Sequence, residues 1–197
     1  INWFWFSPEV VLTLAGVAAL IAAAVLSSGK RGAVAGGALK LGAAEWLSIL
    51  GVAVAGVLAL AVGLRATETP ESVTHFWGGM THDAFSAYFK VAVAAAVLLV
   101  MAMTSGYGRA LFNRPEIYAL LTFATLAIFF MASASELVLI FLSIEFLSIT
   151  SYVMVAYLKD DPRSAEAGIK YFLFGAVCAA VMLYGMSILY GLTASTT

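Results

Sequence analysis

Between Leu137 and Leu158 the chain reads LVLIFLSIEFLSITSYVMVAYL, 22 residues whose one ionisable side chain, tyrosines apart, is Glu145. At about 1.5 Å per helical residue this run covers roughly 33 Å, the thickness of a bilayer's hydrocarbon core. Counting from Leu137, the carboxyl of Glu145 lies about 12 Å deep, close to mid-membrane. A carboxylate at that depth costs several kcal/mol unless it is paired, protonated or wetted, which makes it a functional hypothesis by default. On a helix Ser148 stands at i+3 and Tyr152 at i+7, so the three form one polar seam on an otherwise apolar rod. Two readings compete. The acid either stays protonated and packs helices through a hydrogen bond, a task commonly done by Ser, Thr, Asn or Gln, or it exchanges protons. Burial raises a carboxyl pKa toward working pH, which is what proton transfer needs, and the relay is the better reading.

Composition points the same way. Hydrophobic residues make up 63% and charged residues 11%, against a charged share of roughly 25% in an ordinary soluble domain. An integral membrane protein is implied, and a net charge of −1 argues against nucleic acid as a partner. The one cysteine, Cys178, lies in an apolar run, so no disulfide framework or thiolate metal site is available within the chain. The sequence opens on Ile1 and closes on Gly-Leu-Thr-Ala-Ser-Thr-Thr, and reads as trimmed at both ends. No basic residue precedes the first apolar run, so a secretory signal is not expected there.

Taken in order, the chain divides into six spans within one transmembrane domain, residues 1–197. Ser7-Pro8-Glu9 opens the first, about 8–27, with a cap residue, a proline and an acid. The others are about 43–64, 83–104, 116–132, 137–158 and 164–190, and Arg65–His82 is the longest polar connection. Only Ser133-Ala134-Ser135 separates the fourth and fifth, which forces an antiparallel hairpin. With the N-terminus outside, the inward connections hold Lys30, Arg31, Lys40, Arg109, Arg114, Lys159 and Arg163, and the outward ones only Arg65. That bias satisfies the positive-inside rule and puts both ends of this chain outside. The Ala/Gly bias of the first helices suits close helix packing.

The remaining polar residues are weighed one by one. Glu166 and Lys170 stand at i, i+4 with the acid first, the favourable order for a helical pair. Either the pair is solvated at the interface with Lys170 snorkelling, or the lysine is deep enough, about 9 Å past Ser164, to respond to burial. About 10 Å along the membrane normal separates Lys170 from Glu145, so direct contact is not expected and the acid's cationic partner should lie beyond residue 197. Lys90, about 10 Å into the third helix, reads as a snorkelling lysine. His75, His82 and Asp83 match no closed metal site and read as surface or capping residues. Glu9, Glu45, Glu116 and Glu136 read as ordinary helix-end acids, and Trp3, Trp5, Trp46 and Trp77 as interfacial belt residues.

The segment SELVLIFLSIEFLSITSYVMVAYLKDDPRSAEAGIKYFLFGAVCAAVMLYGMSILYGLT closely resembles subunit N of bacterial NADH-quinone oxidoreductase, respiratory complex I. The same subunit is the B subunit of the photosynthetic NAD(P)H dehydrogenase and subunit 2 of the mitochondrial enzyme. The resemblance is strongest over about 115–193, in IEFLS, SYV, DPRSAEAGIKYFLFGA and LYGMSILYG, and looser in SPEVVL and HDAFSAYFK. It implies an all-α, antiporter-like fold of about fourteen helices with inverted repeats, of which the first six are present here. By motif, Glu145 matches the family's fifth-helix glutamate and Lys170 the lysine opening the sixth helix. The seventh-helix lysine that works with the glutamate has no counterpart within the chain.

The implied function is a membrane-arm subunit that moves protons through a buried Glu/Lys relay, driven by quinone reduction elsewhere in the complex. Glu145 and Lys170 would transfer the proton, with Glu166, Ser148 and Tyr152 in support. NADH, FMN, iron–sulfur clusters and quinone are implied for other subunits, with no cofactor or metal in this chain. Neighbouring antiporter-like and small membrane-arm subunits would be the partners, in a bacterial inner membrane or else a thylakoid or mitochondrial inner membrane. Two alternatives stand beside this reading: a subunit of a multisubunit cation/proton antiporter, and a purely structural membrane subunit.

Overall fold

The computed structural model describes residues 4–27, 42–68, 73–75, 78–107, 116–158 and 161–196. Among the described residues six helices are long and apolar enough to cross a membrane: α1 (Ser7–Ser27), α2 (Ala43–Glu68), α3 (Ala84–Tyr107), α4 (Glu116–Ser133), α5 (Leu137–Val155) and α6 (Pro162–Thr193). The expected all-α polytopic architecture is therefore present, with one addition. The connection read as a polar loop holds a small antiparallel hairpin, β1 (Val73–His75) on β2 (Met80–His82), with Thr74 opposite Thr81. Most of the basic residues behind the orientation argument (Lys30, Arg31, Lys40, Arg109, Arg114, Lys159), with Trp3, Trp77 and the side chain of His75, lie outside the described residues.

Local chemistry explains where helices begin and end. Asp161 caps α6 by accepting from the Arg163 amide at 2.9 Å, and Pro162 fills the first turn, so the helix starts two residues before the expected Ser164. The C-terminus of α5 comes at Val155 rather than Leu158, because the next helix takes its last carbonyl: Ser164 Oγ donates to Val155 O at 2.8 Å. Asp83 and Ser86 form a reciprocal cap at the start of α3, with the Ser86 amide 2.7 Å from Asp83 Oδ1 and the Asp83 amide 3.2 Å from Ser86 Oγ.

The helices run alternately up and down. Ring contact between Phe123 and Phe146, with a hydrogen bond from Tyr157 Oη to Glu116 Oε2 at 3.2 Å, fixes α4 and α5 antiparallel. Their short link is pinned to the hairpin, where the Ser135 amide donates to Gly79 O at 3.0 Å and Met80 bridges Ala134. The hairpin thus gathers the start of α3, the end of α4 and the start of α5 at one end of the bundle, called here the hairpin end.

Small residues set the distance between helices. The most extensive contacts join α1 to α2 and α2 to α3. In these seams a Cβ at Gly51 would come within 2.2 Å of Ala15 Cβ, and one at Gly63 within 2.6 Å of Ala87 Cβ. Lipid supplies no hydrophobic drive between apolar helices, so backbone approach and van der Waals contact hold them together. Hydroxyls within the α4–α5 seam are satisfied by the carbonyl four residues back, as in Thr122 to Tyr118 O at 2.9 Å and Thr150 to Phe146 O at 2.8 Å. α6 is the outlier: Gly168 is its one buried residue, and Phe172, Phe174, Tyr184 and Leu192 all stand exposed.

Candidate functional site: an intramembrane acid and a buried ion pair

Glu145 is the ninth residue of α5, about 12 Å along the helix from Leu137. It is half-buried, and no side chain among the described residues hydrogen-bonds or ion-pairs with it. The buried seam of α5, Ser143 and Thr150, packs toward α4. Successive residues turn by about 100°, which places Glu145, Ser148 and Tyr152 within about 60° of one another and on the opposite side from Ser143. That side leads to α6. Tyr152 packs edge-on against Tyr171 at 4.9 Å and Phe172 at 5.7 Å, and its hydroxyl occupies the space where a side chain at Gly175 would begin. Ser151 Oγ lies 3.3 Å from Tyr171 Oη, a hydroxyl link across the same interface that the sequence reading did not single out.

Lys170 pairs with Glu166 at 2.5 Å rather than with Glu145, and both side chains are about two-thirds exposed in this chain (67% and 64%). Because α6 begins at Pro162, Lys170 sits about 12 Å along its helix, deeper than the count from Ser164 gave. The five residues singled out on these two helices therefore divide. Glu145, Ser148 and Tyr152 share a face of α5, Tyr152 reaches α6, and Glu166 with Lys170 form a pair one and two turns into α6.

The largest departure from the sequence reading is at the hairpin end. Lys90 does not snorkel. It is buried, 2% exposed, and its Nζ bonds Glu9 Oε1 at 2.5 Å, with Glu9 itself 3% exposed. Position along a single helix predicts a snorkelling lysine and a helix-end acid, but residue count cannot tell which face a third helix covers. Here α1, α3 and α4 converge, and the ammonium lies 5.9 Å from the centre of the Phe129 ring. His82 is likewise no surface residue: it is 1% exposed, with its ring against Phe6 at 5.0 Å and Trp5 at 6.2 Å. Trp5 is buried with Phe6, Val62 and Met80, not spread in an interfacial belt, whereas Trp46 is exposed. The signal that could have found the ion pair was the arithmetic of charge: an acid and a lysine each within two turns of the same membrane end, on helices both rich in small residues.

Residues 134–197 match the family described as NADH:quinone oxidoreductase/Mrp antiporter, transmembrane. The chain is 34% identical over its whole length to NADH-quinone oxidoreductase subunit N of Trichlorobacter lovleyi, of which it covers 37%. It is a homologue of NADH-quinone oxidoreductase subunit N. The Microcystis aeruginosa relative, NAD(P)H-quinone oxidoreductase subunit 2, is 43% identical over 157 residues, 79% of this chain and 30% of that protein. Among solved structures, a chain of respiratory complex I from Thermus thermophilus with bound aureothin superposes with a TM-score of 0.71 at 25% identity, over 96% of this chain and 38% of that one. A chain of the archaeal membrane-bound sulfane sulfur reductase gives 0.73 at 18% identity over the same shares, a likeness of fold. The chain thus spans a little over a third of the subunit N relative that it matches from end to end. The family match covers α5 and α6, which carry Glu145, Glu166 and Lys170, whereas Glu9 and Lys90 fall before it.

Proposed function

We propose that this chain is the first part of a membrane-arm subunit of a proton-translocating NADH-quinone oxidoreductase, and that Glu145 carries the proton. The observation that supports this most is an acid at mid-span of α5, half-buried, with no partner among the described residues, in a chain homologous to subunit N. Charge on a carboxyl in low dielectric is costly without a cation beside it. In the proposed cycle a lysine from the part of the subunit beyond residue 197 provides that cation. Quinone reduction in other subunits alters the distance between the two, the acid's affinity for a proton rises and falls, and a proton is released. Tyr152 and Ser148 line the seam, and the Glu166–Lys170 pair supplies protons from the α6 side. NADH, FMN, iron–sulfur clusters and quinone belong to other subunits, and the neighbouring antiporter-like and small membrane-arm subunits are the partners. The N-terminus faces the outside of the energy-transducing membrane.

The deciding experiment substitutes Glu145→Gln in the complete complex and measures protons moved per NADH oxidised in sealed vesicles. Glutamine keeps shape and a hydrogen-bonding terminus but cannot ionise. The expected result is an assembled complex with most of this subunit's share of pumping lost; an unchanged yield would make Glu145 a packing residue. Lys170→Ala is expected to give a smaller, partial loss in the same assay, and full activity would leave the Glu166–Lys170 pair as a helix-surface ion pair. The family description also covers Mrp antiporters, but the two relatives named above, aligned over 100% and 79% of this chain, are quinone oxidoreductase subunits, which favours the first reading.

A further inference from the structure

We propose that Glu9 and Lys90 are a second proton-exchanging pair, at the hairpin end of the bundle and separate from the Glu145 seam. The inference rests on the proton-translocating reading above. The first observation is burial: the pair is 3% and 2% exposed, held between α1, α3 and Phe129 of α4 at 2.5 Å. The second is an incomplete shell. Glu9 Oε2 is buried with no hydrogen-bond partner, and Ser133 Oγ, one turn along α4 from Phe129, is in the same condition. Buried polar atoms are nearly always paired, and an orphaned carboxylate oxygen calls for a water. A pair kept for stability alone gains nothing from such an open edge, because apolar residues of similar volume would do as well or better.

The chemistry balances without a co-reactant. The N–H bond of the Lys90 ammonium breaks and an O–H bond forms on Glu9, leaving a neutral amine and a neutral acid, both tolerable in an apolar site. The acid releases its proton from the Oε2 edge to water, regenerating the carboxylate, and the amine takes up a proton to restore the ammonium. One proton enters and one leaves. At the same end of the bundle Trp5, Phe6, Val62 and Met80 form an apolar cluster, with His82 against two of its rings. The titratable and charged groups contributed at this end include His82 on β2, Asp83 capping α3, Arg65 of α2, whose guanidinium lies 4.6 Å over Phe4, and Glu136 at the start of α5, which accepts from Thr196 Oγ1 at 2.6 Å. α4 contributes Phe129 and Ser133 there.

The test uses the whole complex in liposomes with the apolar double substitution Glu9→Met/Lys90→Met, which leaves no lone charge to block folding. The expected result is an assembled complex that still oxidises NADH but whose proton yield per NADH falls as far as that of Glu145→Gln. Adding Glu145→Gln to the double variant should give no further loss, since both pairs would serve one path. A full proton yield in the assembled double variant would overturn the proposal and leave the pair as a clamp between helices. Failure of the double variant to assemble would overturn it too, making the pair a folding element. If Glu145→Gln leaves the yield intact while the double variant lowers it, the reading of Glu145 falls and this one stands.

Discussion

Complex carrying Lys90→Met alone is expected to assemble poorly or not at all. The substitution leaves Glu9, 3% exposed, with its Oε1 stripped of the ammonium at 2.5 Å and its Oε2 already unpartnered. Breaking one side of a buried pair strands a charge, and such losses run to about 3–5 kcal/mol, a large part of a domain's marginal stability. Glu9→Met added to Lys90→Met is expected to restore assembly, because no charge is then buried. The amount of intact complex on native gels, compared across the unsubstituted protein, Lys90→Met and the double variant, gives the answer. Equal assembly in all of them would mean that the pair is wetter or more mobile than its burial implies.

The second large effect is expected at Gly168. A Cβ built there would lie 2.5 Å from Ala156 Cβ and 3.2 Å from Ala156 Cα, so the obstacle includes backbone and not only the end of a pliable side chain. Gly168→Ala carries two opposed contributions. Alanine in a helix gains about 0.5–1 kcal/mol over glycine. Overpacking typically costs about 1–3 kcal/mol, and where backbone must move the cost wins. α6 touches the rest of this chain mainly through α5, and Gly168 is its one buried residue, so the displacement would propagate along the helix that carries Lys170. Reduced thermal stability of the assembled complex is the expected outcome, with partial recovery on adding Ala156→Gly, which removes the opposing methyl. A neutral or stabilising Gly168→Ala would show that the start of α6 can slide away from α5 at little cost.

How far a sequence can be read depends here on whether a property belongs to one helix or to the space between several. The six spans follow from length and hydropathy, since lipid obliges each helix to satisfy its own backbone. Glu145 could be found because its oddity is internal to one run of 22 residues. The antiparallel turn between α4 and α5 follows from a link too short for anything else. Helix ends were less legible, because capping by Asp161 and by Ser164 moves them a turn or less without changing the hydrophobic pattern.

What one chain segment dictates by itself is thus its state: membrane-spanning, helical, and carrying a mid-membrane acid whose neighbours at i+3 and i+7 must share its face. The tertiary structure decided partnership. Glu9 and Lys90 are 81 residues apart and meet because α1 and α3 each pack on α2, around small residues, and on α4. Lys170 found Glu166 rather than the seam of α5, and His82 went inside against Trp5 and Phe6. The reason is one of distance. Periodicity fixes which residues share a face over about 5 Å, whereas the energy of a buried charge depends on whatever other helix arrives to cover it.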